Sequence, residues 1–552
     1  MNAVPTKNKS LDIADLDLDL INDSFVNFDT PVFPAIPPPV QPYRANPDTC
    51  FYFRGVDQCD VVQAVLSVKS NAVGLDKVHP TFLKAVLPIV LPHITYIFNY
   101  ILASSVFPAS WKQARVVPVP KPSGGLRPIA VLPLLSKALE KIMHSQMTLF
   151  LDQHNMLNSY QSGFRKEHSC ITALLDVIEN IRSQIDANKV CVLTLLDHTK
   201  AFDSVEPVIT CTKLSTLFNF SASATELIKS YLTGRSQRVS VNNCLSEPLN
   251  VMKGVPQGSI LGPLLFNMYI NDLPDILQDC NIHIYADDIQ VYMFCSTNSI
   301  PQCISNLNSE LNRILEWATI NHLCINPQKS KCLLISKKSF SVSELDPPCI
   351  GGQDINFCDT AKNLGITFDR TLSWNIHISV VVGKVYGMLR LLWSTQDFTP
   401  FHIRLLLSKV YLIPTLLYGC EIFANADQAS KQKLNVLFNN IARYIFKRHR
   451  YDHISEYSKK IFGYTFDNLI NLRTLTTLHK IIFSHEPAYL YRHITFSQSS
   501  RNNKIIIPRH RALLSERQFF VHSARLWNLL PIPTTLIQST NLFKKTIVSS
   551  FD

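Results

Sequence analysis

The chain has 552 residues, 46% of them hydrophobic, which is enough apolar material for sizeable cores and excludes wholesale disorder. Its net charge of +11 is uneven: residues 1–48 hold Lys7, Lys9 and Arg44 against seven aspartates, leaving a basic body suited to a polyanionic partner. Fourteen cysteines without Cys-x-x-Cys or Cys/His ligand spacing, and an N-terminus without a signal-peptide core, point to reduced thiols in an intracellular protein, in cytoplasm or nucleus and not secreted.

Residues 1–48 alternate Asp with Leu and then turn Pro-rich, with polyproline character around Pro37–Pro39; they read as an acidic linker. "VVQAVLSVKSN" and "GLDKVHPTFLKAVL" predict helices. Phe82–Phe107 is apolar enough to cross a membrane. Lys84, Pro88, Pro92, His93 and Asn99 favour helices buried in a large core instead. Leu405–Phe423, broken by Lys409 and Pro414, reads the same way, so no membrane partner is expected.

Ala114–Pro133 predicts short strands around Gly124–Gly125, and "PLLSKALEKIMHSQMTLFLDQH" an amphipathic helix. Lys189–His198 is a continuous apolar run, as in a buried central strand. A helix ends at Gly234, and "GVPQGSILGPLLFNMYINDLP" is a Gly-rich turn entering a helix, with Pro263 suited to its first position. "NIHIYA" and "IQVYMF" form a hairpin around Asp287–Asp288. A helix with Leu307, Leu311, Ile314, Leu315 and Ala318 on one face follows, then the strand "KCLLISK". Beyond about residue 375 the chain is helical and more basic.

Two adjacent carboxylates inside a β-prone apolar run are costly to bury. A lone Asp-Asp reads as a turn. Asp197, at the end of a second apolar strand, changes this, because a strand end beside a hairpin bend can bring three carboxylates within a few ångströms. Such a cluster calls for a cation. Mg²⁺ takes oxygen ligands, and two ions roughly 4 Å apart activate a 3′-hydroxyl and stabilise leaving pyrophosphate. The expected chemistry is nucleotidyl transfer with two Mg²⁺ ions, or Mn²⁺ in their place.

The blocks around these residues resemble, in order, the reverse transcriptases of non-LTR (LINE and Jockey-like) retrotransposons. They are "FPASWKQARVVPVPKPSGGLRPIAVLPLLSKALEKI", "NSYQSGFRKEHSC", "LDHTKAFDSV", "GVPQGSILGPLLFNMYINDLP", "YADD", "LCINPQKSK" and "LGITFDRTLSWNIHI". "YADD" alone is weak, whereas the ordered set is specific and extends over roughly residues 50–545. The resemblance implies an α+β right-hand polymerase: fingers, a palm with an antiparallel sheet, a helical thumb and a helical C-terminal region. Residues 49–372 would be fingers and palm, with core motifs over 107–369, residues 373–450 the thumb, and 451–552 a basic C-terminal region. The implied function is RNA-directed DNA synthesis from a primer 3′-OH, with an RNA template, a DNA primer or target, and dNTPs as partners.

The resemblance makes Asp197, Asp287 and Asp288 the metal-binding carboxylates, with Asp288 alternatively tuning the site, and lets the backbone carbonyl of His198 reach a metal. Phe202 falls where the family has an aromatic that excludes a 2′-hydroxyl. Asp203 reads as structural. Lys121 and Arg127, flanking the Gly-Gly turn, suit a triphosphate clamp. Gln257 would touch the incoming nucleotide or template base, and Gly258 would let backbone approach closely. Lys329 would serve as general acid near the leaving pyrophosphate. Tyr285 would face the side of Asp287 and contact the primer end. His198 and Thr199 depart from the family pattern, and His198 reads as a packed side chain. "YIFKRHRYDH" and "RNNKIIIPRHR" suit nucleic-acid backbone contacts. The endonuclease domain and Cys/His knuckle of full elements are not seen. A non-catalytic or co-opted nucleic-acid-binding relic and an RNA-dependent RNA polymerase are the competing readings; Phe202 and the block order argue against the latter.

Overall fold

The computed structural model describes residues 17–28, 49–121, 124–337, 342–424, 426–454, 456–457, 465–497, 503–508 and 518–550. The polyproline stretch, and residues 501–502 and 509–511 of "RNNKIIIPRHR", lie outside them.

Local rules account for most helix starts. Helix α1 (Leu18–Val26) begins where the Asp17 carboxylate accepts from the N–H groups of Asp19 and Leu20. Part of the segment expected to be a linker is therefore a capped helix. Helix α2 (Gln58–Ser67) starts with a capping box between Asp57 and Asp60. Helix α3 (Pro80–Ser104) has Pro80 in its first turn, where a missing N–H costs nothing. Strands β1 (Gln113–Pro120) and β2 (Leu126–Val131) form a hairpin whose turn uses positive φ at Gly124 and Gly125. Helix α4 (Leu134–Gln153) and the Ser169-capped α5 (Cys170–Asp186) precede β3 (Val190–Leu196) and β4 (His198–Thr199).

Helices α6 (Pro207–Thr216) and α7 (Ala222–Leu232) lead to β5 (Arg235–Val241), β6 (Cys244–Leu245) and β7 (Leu249–Val251). Helix α8 (Gly262–Tyr269) has Pro263 in its first turn. The hairpin β8 (Asn281–Tyr285) and β9 (Asp288–Cys295) is followed by α9 (Ile300–Ile320). Then come β10 (Cys324–Ile325), β11 (Lys331–Ile335), β12 (Cys349–Ile350), β13 (Gln353–Asp354), β14 (Thr360–Asn363), β15 (Ile366–Asp369) and α10 (Asn375–Trp393). The remaining described chain is mainly helical.

The chain divides into two compact units. One contains Met1–Gln161, His198–Leu277 and Arg313–Asn326. Its main sheet runs β2-β1-β5-β6, with β7 also on β5; β1 and β5 are parallel and the other pairs antiparallel. A small apolar core joins Ile21 of α1 to Ala114, Val116, Ala130, Leu132 and Val239. Helix α3 corrects the expectation of buried helices at Phe82–Phe107. It is one helix, with Leu87, Phe98 and Ile101 buried but Phe82, Ile89, Tyr96 and Tyr100 exposed. Hydropathy reports composition, whereas burial depends on which faces find a neighbour, here α2 and α7.

The other unit contains Ser162–Asp197, Gln278–Asn312 and Pro327–Asp552. Its four-stranded sheet, β11-β3-β9-β8, is antiparallel throughout. Strand β3 is central and almost wholly buried, as its apolar run requires. A single core continues from Leu174 and Leu193 through Phe368 and Trp374 to Trp527 and Ile547. Compactness therefore does not break at residues 372 or 450, because long-range apolar contacts cross both positions.

Candidate active site

The β3–β9 ladder sets the carboxylates. Leu196 lies opposite Ile289, so Asp197, the next residue, comes level with Asp288. Tyr285 pairs with Asp288 and closes the hairpin over Ala286 and Asp287. Ala286 takes the φ of +56° that this tight turn requires, at a cost of about 1 kcal/mol for a residue with a Cβ. The N–H of Asp197 donates to Ser330 Oγ at 3.2 Å, which fixes the strand end. Nothing in the residue types had marked Ser330.

Packed protein around its carboxyl, then the charges of Asp287 and Asp197, push Asp288 up to about 6. The residue still keeps a solvent-open face, so a cation can reach it. Among the described residues, however, no three His, Cys, Asp or Glu side chains are close enough to hold an ion by themselves. The charges of Asp287 and Asp197 nevertheless both reach Asp288. The donors fit Mg²⁺, which needs only one or two carboxylates beside water and phosphate oxygens.

Lys329 is exposed, beside the buried Ser330. Tyr285 is half-buried, and burial followed by its contact with Cys170 raises its hydroxyl pKa. Strand alternation cannot place Tyr285 and Asp287 on one side, because the left-handed Ala286 ends the extended geometry between them.

In the unit that holds β4, His198 is buried and its strand pairs with β10. Phe202 stacks on Phe266, with ring centroids 4.3 Å apart. Gln257 Nε2 donates to both oxygens of Asp203, at 2.8 and 3.0 Å. Burial raises Asp203, opposed first by that amide and then by Lys200 and Lys121. Asp203 thus holds Gln257 in place, as a structural residue would. Gly258 has φ +124°, and a Cβ there would lie 2.6 Å from the Ala130 carbonyl oxygen. Its close approach is to strand β2, and Ala130 N–H donates to the Gln257 carbonyl at 2.7 Å. Lys121 and Arg127 are exposed at the ends of the β1–β2 hairpin.

Two features of this unit gave no sequence signal. Glu140, fully buried on α4, accepts from the N–H groups of Ile260 and Leu261 at 2.7 and 3.2 Å, bracing the Gln257–Gly258 loop. A cavity of about 420 Å³ is lined by Asp203, Gln257, Ala130, Arg235 and the α1 end from Phe25 to Phe28. There Lys200 donates to the Ser24 carbonyl at 2.8 Å and lies over the Phe28 ring.

Residues 119–368 match the family described as Reverse transcriptase (RNA-dependent DNA polymerase). Three Drosophila melanogaster proteins are similar. The probable RNA-directed DNA polymerase from transposon X-element is 28% identical over 409 residues, covering 70% of this chain and 44% of the relative. That from transposon BS is 29% identical over 406 residues, with the same coverages. The RNA-directed DNA polymerase from mobile element jockey is 27% identical over 363 residues, covering 63% and 39%. The chain thus spans under half the length of these relatives. The matched stretch contains Asp197, Asp287 and Asp288. Residues 119–368 are therefore similar to the reverse transcriptase family, and most of the chain is similar to RNA-directed DNA polymerases of Drosophila mobile elements.

Proposed function

We propose that the protein is an RNA-directed DNA polymerase that extends a primer 3′-OH with dNTPs on an RNA template. The observation that carries this reading is the ladder register that sets Asp197 level with Asp288, beside Asp287, with the pKa of Asp288 raised. In this reading the four-stranded antiparallel sheet is the palm, and the β1–β2 hairpin belongs to the fingers. The helical residues 373–450 form the thumb, followed by a basic C-terminal region at 451–552.

Asp197, Asp287 and Asp288 are the residues that would hold Mg²⁺, with the His198 carbonyl as a further oxygen. When bound, Mg²⁺ lowers the pKa of the primer hydroxyl and neutralises charge on the pyrophosphate. The protein's own groups do the rest. Lys121 and Arg127 bind triphosphate oxygens, and Gln257, fixed by Asp203, lies against the base pair. Phe202, held by its stack on Phe266, closes the space a 2′-hydroxyl would need. Lys329 donates a proton to the leaving pyrophosphate. Tyr285 supports the primer end. The fourteen cysteines are all free thiols, which suits an intracellular setting.

Primer extension by the full chain on an RNA template, with dNTPs and NTPs compared, tests the reading. Wild type is expected to incorporate dNTPs and reject NTPs, and Phe202→Ala to raise NTP use at least tenfold relative to dNTP use. Template binding without any incorporation would instead support a nucleic-acid-binding relic, and preferred NTP use an RNA polymerase.

A further inference from the structure

Behind the hairpin lies a buried polar chain. Ser162 Oγ is 2.9 Å from His283 Nε2, and His283 Nδ1 is 3.0 Å from Asp176 Oδ2. The order Ser–His–Asp is that of a hydrolytic triad. Hydrolysis is excluded, because Ser162 and His283 are 0% exposed and no substrate can reach them. Ser162 also has a second partner, the Tyr489 hydroxyl at 2.7 Å. The Tyr489 ring meets His283 edge-on at 5.0 Å, and Arg492 donates to the other oxygen of Asp176 at 3.3 Å.

These contacts fall on the strand that leads into the catalytic turn. His283 belongs to β8, the edge strand of its sheet. An edge strand has one row of backbone groups without a sheet partner and is the most easily displaced. Here Ser162 N–H donates to the Ile284 carbonyl at 2.9 Å. At the next residue a Cβ on Gly163 would lie 2.4 Å from Ala286 N, so only glycine lets the segment seat against the turn. The Ser162–Gly163 segment thus grips the strand at 283, 284 and 286, immediately before Asp287.

We propose that the chain Asp176–His283–Ser162–Tyr489 is a positioning network for the Asp287–Asp288 hairpin. The helix Ala488–Tyr491 is thereby a working part of the polymerase site, although Tyr489 lies 327 residues from Ser162. The inference rests on the polymerase reading for its catalytic consequence, but not for the mechanical one. Carboxylates must be held within about 0.5 Å of their working geometry, and partners that orient a metal site typically contribute 10- to 100-fold.

The test uses the full chain with Tyr489→Phe, which deletes one oxygen and keeps the ring, and Ser162→Ala. The control is Glu179→Gln, which perturbs an equally buried carboxylate that accepts from Phe519 and Phe520 N–H and does not touch the hairpin. Both network variants are expected to lower kcat about tenfold and to need more Mg²⁺ for half-maximal rate. Their template–primer Kd and dNTP KM should stay within about twofold of wild type. Hydrogen exchange of the Ile282–Ile289 amides should speed up in both. The control should lose melting temperature with kcat, Mg²⁺ requirement and exchange unchanged. Wild-type kcat per folded molecule in Tyr489→Phe and Ser162→Ala, with or without faster exchange, overturns the proposal. If wild type itself does not polymerise, the functional reading fails, and the exchange measurement alone decides the network: unchanged protection overturns it.

Discussion

In the proposed site, Asp288 would couple the proton and the cation. Its folded pKa of about 6 lies above the unfolded value of 3.8, so between those values the folded chain keeps a proton that the unfolded chain releases. Its contribution to stability therefore grows as pH falls from about 6 towards 4, and is unfavourable above that window. Two results follow. In metal-free protein at pH 7.5, Asp288→Asn raises the melting temperature, because it removes a charge that Asp287 and Asp197 oppose. In wild type, the Mg²⁺ concentration for half-maximal rate is flat above about pH 6 and rises below it, as protons compete for the carboxylate. A requirement that stays flat down to pH 5 would contradict the electrostatics. The ladder placement of the three aspartates was legible in the sequence, because a charge inside or at the end of an apolar β run is expensive and needs a reason. Ser330, Ser162 and Glu140 were not, since a serine or a helical glutamate is unremarkable until its partner is known. Those partners lie 120 or more residues away in the chain.

At the scale of elements, periodicity found the strands and helices but not their surroundings. The continuous apolar run at Lys189–His198 did become the central strand, because only a strand covered on both faces has no polar side. The apolar run at Phe82–Phe107 became a helix with one face open, because nothing in a hydropathy pattern specifies neighbours. The two faces of α3 make the difference measurable. Phe98→Ala, at a fully buried ring, should cost about 3–5 kcal/mol. Tyr96→Ala, on the exposed face, should stay within about 0.5 kcal/mol. Equal losses in denaturant titrations would mean that α3 is covered on both sides. The α8 entry loop depends on α4 in a similar way. Glu140→Ala leaves the Ile260 and Leu261 N–H groups buried without an acceptor and should cost about 3 kcal/mol. Dissociation of Gln257 from Asp203 should accompany it, read as a raised dNTP KM. A loss below about 1 kcal/mol would show that the loop finds other partners.

For the whole molecule, the ordered blocks carried the resemblance, and residues 119–368 match the reverse transcriptase family. Domain limits were less legible. The sequence changes character near residue 375, yet one apolar core joins the antiparallel sheet to helices as far as Ile547. Composition reports where helices begin, not which core they complete. The same long-range closure brings Tyr489 to Ser162 and makes the C-terminal helices part of the sheet's own unit. The central claim is that Asp197, Asp287 and Asp288 support RNA-templated dNTP incorporation. Primer extension by wild type and Asp287→Asn, on one RNA template with Mg²⁺, tests it most directly. The account predicts dNTP incorporation by wild type and a loss of at least 10³-fold in the variant, with template–primer Kd unchanged. Equal incorporation by the two proteins would contradict it.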